Sequence, residues 1–107
     1  EVLDEMPLVT THTYNAGTGA RQTLARWARD HGKVLWNSEF GTGEGPLQGG
    51  IQLAQAIEAD LRELNCTVWT LWQAVDLDNT LSPSGWGSIV ATNPPAGANF
   101  KIRKQYY

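Results

Sequence analysis

The sequence predicts an α/β fold with parallel strands. Three strand-length apolar segments are separated by two amphipathic helical stretches, and polar residues gather where each strand ends. The first segment, Leu8-Val9-Thr10-Thr11-His12-Thr13-Tyr14, is rich in β-formers. A helix from about Thr18 to His31 follows, with Leu24, Trp27 and Ala28 at helical spacing and Gly32 placed to stop it. Lys33 to Glu39 forms the second strand. The second helix runs from about Leu47 to Leu64, where Ile51, Ala54, Ile57, Leu61 and Leu64 make one stripe expected to be buried. On its outer side Glu58 and Arg62 are four residues apart and oppositely charged. Cys66 to Trp72 forms the third strand.

Strands alternating with helices imply parallel pairing through crossovers. Val34-Leu35-Trp36 and Val68-Trp69-Thr70-Leu71-Trp72 are nearly continuous apolar runs, the pattern of strands covered on both faces. Residues 77 to 99 hold many Asn, Pro, Gly and Ser, including Asn93-Pro94-Pro95 and Ala96-Gly97. They read as a long loop with a short strand from Trp86 to Val90. Lys101 to Tyr107 reads as a last helix just beginning. Three such strands do not close a barrel: a (β/α)₈ barrel takes about 250 residues, and this chain has 107. The expectation is a part of a larger barrel, its earlier strands lying before Glu1.

A hydrophobic fraction of 41% with 18% charged residues is globular in character rather than disordered. The formal charge of -3 leaves no basic footprint for nucleic acid, and no apolar run is long enough to cross a bilayer. One cysteine, Cys66, excludes an internal disulfide and reads as a small buried hydrophobe. His12 and His31 are not expected to meet, so no metal site is expected, and no cofactor. Five tryptophans are many for this length, and a Trp fills a core or offers a flat face to a ligand such as the apolar side of a pyranose.

The strand ends carry His12 to Asn15, Asn37 to Glu39 and Gln73 to Asp76. In open α/β sheets and in barrels alike, chemistry sits at that end. Glu39 closes a nearly apolar strand, and a carboxylate there needs a reason. The plainer alternative is a Glu that simply reaches solvent at a strand terminus. His12 and Tyr14 alternate, so they share one face of their strand. A phenol beside a carboxylate holds it ionised and oriented, and Trp72 ends its strand where a flat ring would floor a sugar site. Taken alone, His12 reads better as a satisfied structural histidine. Glu44, Asp76 and Asp78 read as solvated loop charges.

Several runs together resemble glycoside hydrolase family 30, and its endo-β-1,6-galactanase-like members in particular. Leu35-Trp36-Asn37-Ser38-Glu39-Phe40-Gly41 is similar to that family's Trp-x-Ser-Glu-Tyr-Gly signature, and Thr11-His12-Thr13-Tyr14 to its His-x-Tyr on the sixth strand. The likeness continues through Ala59-Asp60-Leu61-Arg62, Trp69-Thr70-Leu71-Trp72-Gln73, Gly85-Trp86-Gly87 and Lys104-Gln105-Tyr106-Tyr107. Phe40 stands where the family usually has Tyr, and the family varies position 37.

The resemblance implies that residues 1–107 are one partial catalytic domain, the C-terminal portion (about strands six to eight) of a (β/α)₈ TIM barrel. Glu39, ending the seventh strand, would be the nucleophile of a retaining β-glycosidase. His12, Tyr14, Trp72 and Gln73 would be its substrate contacts. The acid/base Glu would end the fourth strand, outside this chain. Implied partners are a β-linked oligosaccharide or polysaccharide and the remainder of the barrel, with an extracellular location. A retaining glycosidase of a related barrel family, a non-catalytic sugar-binding barrel and an unrelated small α/β domain are the competing readings.

Overall fold

A computed structural model describes residues 2–43, 46–77, 86–91, 99–103 and 106–107. The chain divides into two compact units: residues 1–40 with 55–70, and residues 41–54 with 71–107.

The first unit follows α1 (Val2–Glu5) with strand β1 (Leu8–His12), helix α2 (Thr18–Asp30) and strand β2 (Val34–Phe40). β1 and β2 pair in parallel, and the three-stranded sheet has the order β1-β2-β3, with β3 at Val68–Leu71. Helix α2 ends as its sequence dictates. Gly32 takes φ +64°, its N–H bonds to the carbonyl of Arg29, and the N–H of Lys33 bonds to that of Ala28. This double closure satisfies carbonyls that a helix end would otherwise leave open. Ala28, Leu35, Leu64 and Cys66 are buried together, with Val9, Leu24, Trp27 and Trp69 packed against them. Truncating a residue as enclosed as Leu64 to Ala typically costs about 2–5 kcal/mol. Burial also pushes the Cys66 thiol pKa up, consistent with a packing residue.

Helix α3 (Pro46–Ala59) passes into a π-helical turn at Asp60–Leu64, which Asn65 closes in the left-handed region at φ 56°. The expected buried stripe is corrected here. Ile51 is 44% exposed and Leu61 51% exposed, and Ala54 is also exposed, while Leu53, Ala56, Asp60, Glu63 and Leu64 are buried. The inward face carries Asp60, whose donors Thr13, Arg21, Asn37 and Trp69 surround it, together with the apolar Leu53, Ala56 and Leu64. Glu58 and Arg62 do pair on the outer side.

The strands also differ from expectation. β2 alternates, with Leu35 and Asn37 buried but Val34 and Trp36 exposed, and Val68 is exposed as well. Within the described residues one face of this sheet is covered by the helices and the other is open.

In the second unit, β4 (Val75–Leu77) pairs in parallel with β5 (Ile89–Ala91), which pairs antiparallel with β6 (Phe100–Ile102). β6 corrects the last expected helix. Phe100-Lys101-Ile102 alternates apolar and polar residues, and β5 offers it a ladder from Ile89 opposite Ile102 to Ala91 opposite Phe100. Asp76, expected in a solvated loop, is instead buried, and its Oδ2 accepts the backbone N–H of Trp86 at 3.0 Å. Glu44, Asp78, Gly85, Lys104, Gln105 and the stretches Asn93-Pro94-Pro95 and Ala96-Gly97 lie outside the described residues.

Two glycines of the sequence motifs have a spatial reason. A Cβ on Gly41 would overlap the carbonyl oxygen of Trp72, and one on Gly87 would stand 2.6 Å from the backbone nitrogen of Asp76. Because backbone occupies both places, Gly41→Ala is expected to destabilise the protein by at least about 1–3 kcal/mol. Urea unfolding measures this, and an unshifted midpoint would show that the two segments part freely.

Candidate active site

The parallel register of β1 and β2 runs from Leu8 opposite Val34 to Thr11 opposite Asn37, then jumps to His12 opposite Glu39. Ser38 is therefore an extra residue, a bulge at the C-terminal end of the pair. In an unbroken strand Asn37 and Glu39 would share a face. The bulge separates them, as such irregularities commonly do beside functional residues.

On one side of the strand ends, three side chains converge. The Tyr14 hydroxyl donates to Glu39 Oε1 at 3.2 Å, and His12 Nε2 lies 3.8 Å from Glu39 Oε2. The second distance suits an ion pair when the imidazole is protonated, but it is too long for a hydrogen bond. Phe40 stacks on Tyr14 with ring centres 5.2 Å apart and planes inclined by 17°. This leaves the phenol in a fixed orientation above the carboxylate. The Glu39 side chain is 28% exposed, half-buried but open to a ligand.

On the other side, the intervening residues turn inward to a buried polar hub. Asp60 is 0% exposed. Its Oδ2 accepts hydrogen bonds from Thr13 Oγ1 at 2.7 Å, Asn37 Nδ2 at 2.6 Å and Trp69 Nε1 at 2.9 Å, and its Oδ1 accepts one from Arg21 Nε at 2.7 Å. Burial by itself would raise the pKa of this carboxyl. The hydrogen bonds from Arg21, Thr13, Trp69 and Asn37 outweigh it and hold the group below its ordinary 3.8. Arg21 also reaches the carbonyl of Ala16, and Glu63 Oε1 accepts from Thr18 Oγ1 at 3.2 Å.

The two sides are joined through Asn37. Its Nδ2 donates to Asp60 and, at 2.8 Å, to Thr13 Oγ1, while its Oδ1 accepts the backbone N–H of Glu39 at 3.1 Å. Of the expected site residues, the structure thus brings His12, Tyr14 and Glu39 together. Trp72 and Gln73 belong to the second unit, just after β3, joined by a cis peptide bond, with Trp72 47% exposed. The Asp60 hub was not anticipated as part of the site. The spacing of Asp60 four residues before Leu64 and three after Ile57 is the sequence signal that could have placed it on the inward face.

No family model matches the chain. Over 85 residues it is 38% identical to an endo-beta-1,6-galactanase of Hypocrea rufa, a match that takes in 79% of this chain and 16% of that protein. The resemblance to glycoside hydrolase family 30 holds. The chain spans about a sixth of the length of that curated relative. Among solved structures, it aligns with a GH30 endoxylanase from Clostridium papyrosolvens C71 at a TM-score of 0.60 and 17% identity, over 79% of this chain and 20% of that one. It aligns with a conserved exported protein from Bacteroides fragilis at 0.67 and 18% identity, over 92% and 25% of the two chains. At these identities the two structures speak for the fold alone. That fold is the α/β arrangement shared with a family 30 enzyme.

Proposed function

We propose that this chain is the C-terminal portion, about strands six to eight, of the (β/α)₈ barrel of a retaining glycoside hydrolase, and that Glu39 is its nucleophile. The observation that carries the proposal is the convergence of the Tyr14 hydroxyl and the His12 imidazole on one half-buried carboxylate at the end of a parallel strand. The open sheet face bearing Val34, Trp36 and Val68 is what a barrel interior would cover. The galactanase relative supports a β-linked glycan as substrate, a β-1,6-galactan in the first instance.

In this mechanism Glu39 attacks the anomeric carbon as the leaving oxygen takes a proton from a second carboxylic acid, supplied by an earlier strand. With Tyr14 donating to Oε1, Oε2 is the attacking atom. Water, deprotonated by the second carboxylate, then displaces Glu39 from the sugar and leaves the original anomeric configuration. The Tyr14 hydrogen bond orients the Glu39 carboxylate for attack. Trp72 and Gln73 take their assignment as sugar contacts from the family resemblance. The extracellular location follows from polymeric substrates being met outside the cell.

A 2-deoxy-2-fluoro β-galactoside carrying a good leaving group tests this directly in a full-length protein containing the chain. Slow turnover of the fluorosugar ester should leave one sugar on the peptide containing Glu39, detected by mass spectrometry. A label on any other carboxylate overturns the assignment.

A further inference from the structure

We propose that Asp60 is a positioning residue for Glu39, acting through the orientation of the Asn37 side-chain amide. The inference rests on the reading of Glu39 as the reacting carboxylate and adds to it a buried group that touches no substrate.

The Asn37 amide has two orientations related by rotation about its terminal bond, and they differ only in which end carries the donors. In the orientation present, both ends are matched: NH₂ faces the Asp60 carboxylate and the Thr13 hydroxyl, and the oxygen faces the Glu39 N–H. Reversal would set the amide oxygen against a carboxylate oxygen and two donors against each other at Glu39. Asp60 forbids that reversal because an ionised carboxylate accepts and never donates. Arg21 favours the ionised form, at 2.7 Å from Oδ1. The orientation matters because the Glu39 N–H follows the bulge, where the β1–β2 register is interrupted. The Asn37 oxygen ties that N–H down, which fixes the backbone from which the Glu39 carboxylate projects toward Tyr14. Asp60 heads the π-helical turn, a distortion frequent at functional sites.

The experiment is a mutant cycle in the full-length protein with Asp60→Asn, Asn37→Ala and the double variant. Thr18→Val serves as the control, since it removes a hydrogen bond to Glu63 on the same helical turn but leaves Asp60 and the Asn37 amide in place. Each single variant of the cycle should lower kcat about tenfold to a hundredfold with little change in KM, as expected for a misplaced reacting group. The double variant should be no slower than the slower single, because both act through one amide. Thr18→Val should lower stability slightly and leave kcat near wild type.

Additive losses in the double variant, or a kcat loss in Thr18→Val equal to that in Asp60→Asn, overturn the proposal. If Asp60→Asn does not fold, Asn37→Ala decides: wild-type kcat there overturns it as well. The backbone ¹⁵N–¹H resonance of Glu39 separates this inference from the one beneath it. An unmoved resonance in Asp60→Asn sinks the positional link alone. A moved resonance, with Glu39→Ala still fully active, supports the link and sinks the nucleophile.

Discussion

Glu39→Ala in a full-length protein carrying this chain is expected to lower turnover by at least about 10³-fold, since the step that forms the glycosyl ester has lost its attacking atom. Azide should restore it. Replacing the carboxylate by a methyl group opens a small space at the anomeric carbon, and a small anion can enter from the side that Glu39 attacked. One displacement then occurs instead of two, so the product is a glycosyl azide of inverted configuration. The proton inventory still closes, because the second carboxylic acid protonates the leaving oxygen as before. Proton NMR of the anomeric coupling reads the configuration. Wild-type turnover in Glu39→Ala would remove the nucleophile, and a rescued product of retained configuration would mean that another group attacks first. Tyr14→Phe keeps the ring on Phe40 and removes only the hydroxyl, so it belongs beside Glu39→Ala as the milder variant of the same experiment.

The second large effect is on stability. Asp60→Ala should cost about 3–5 kcal/mol at neutral pH, the range for breaking a buried ion pair from one side. It leaves the Arg21 guanidinium, whose side chain is 11% exposed, facing a cavity with Glu63 Oε2 at 3.9 Å. The donors on Thr13, Asn37 and Trp69 lose their shared acceptor as well. Acid should reproduce part of this loss in the unmutated protein. The folded pKa of Asp60 is depressed below 3.8, so the unfolded chain binds this proton first as the pH falls. The stabilisation is therefore complete above the unfolded value of about 3.9 and fades as the pH drops through the lower folded one. Denaturant titrations of the wild type and Asp60→Ala should differ most near neutrality and converge at low pH. A gap independent of pH would show that Asp60 contributes by packing and not by charge.

Much of this architecture was legible in the residues. β1, α2, β2 and β3 could be read from apolar runs of strand length and from a helix stopped by Gly32, because each depends on local pattern and turn chemistry. His12, Tyr14 and Glu39 could be paired from strand alternation together with the position of polar residues at strand ends. The rotation of α3 could not, since Ile51 and Leu61 look as suitable for burial as Leu53. What decides between them is Asp60, whose hydrogen-bond partners lie 47, 39, 23 and 9 positions away along the chain. The short strands β4 and β6 escaped for a related reason: three residues carry little periodicity, and their pairing with β5 is what makes them strands. Asp76 looked like a loop charge because nothing local announces the Trp86 amide that it accepts.

Ser38 has no contact with the Glu39 carboxylate among the bonds described, yet its exclusion from the β1–β2 ladder decides where that carboxylate goes. Were Ser38 drawn into the ladder as an ordinary strand residue, Glu39 would turn to the face of Asn37, toward the helices, with every side chain still present. What counts at 38 is that this residue stays out of the ladder, more than which side chain it carries.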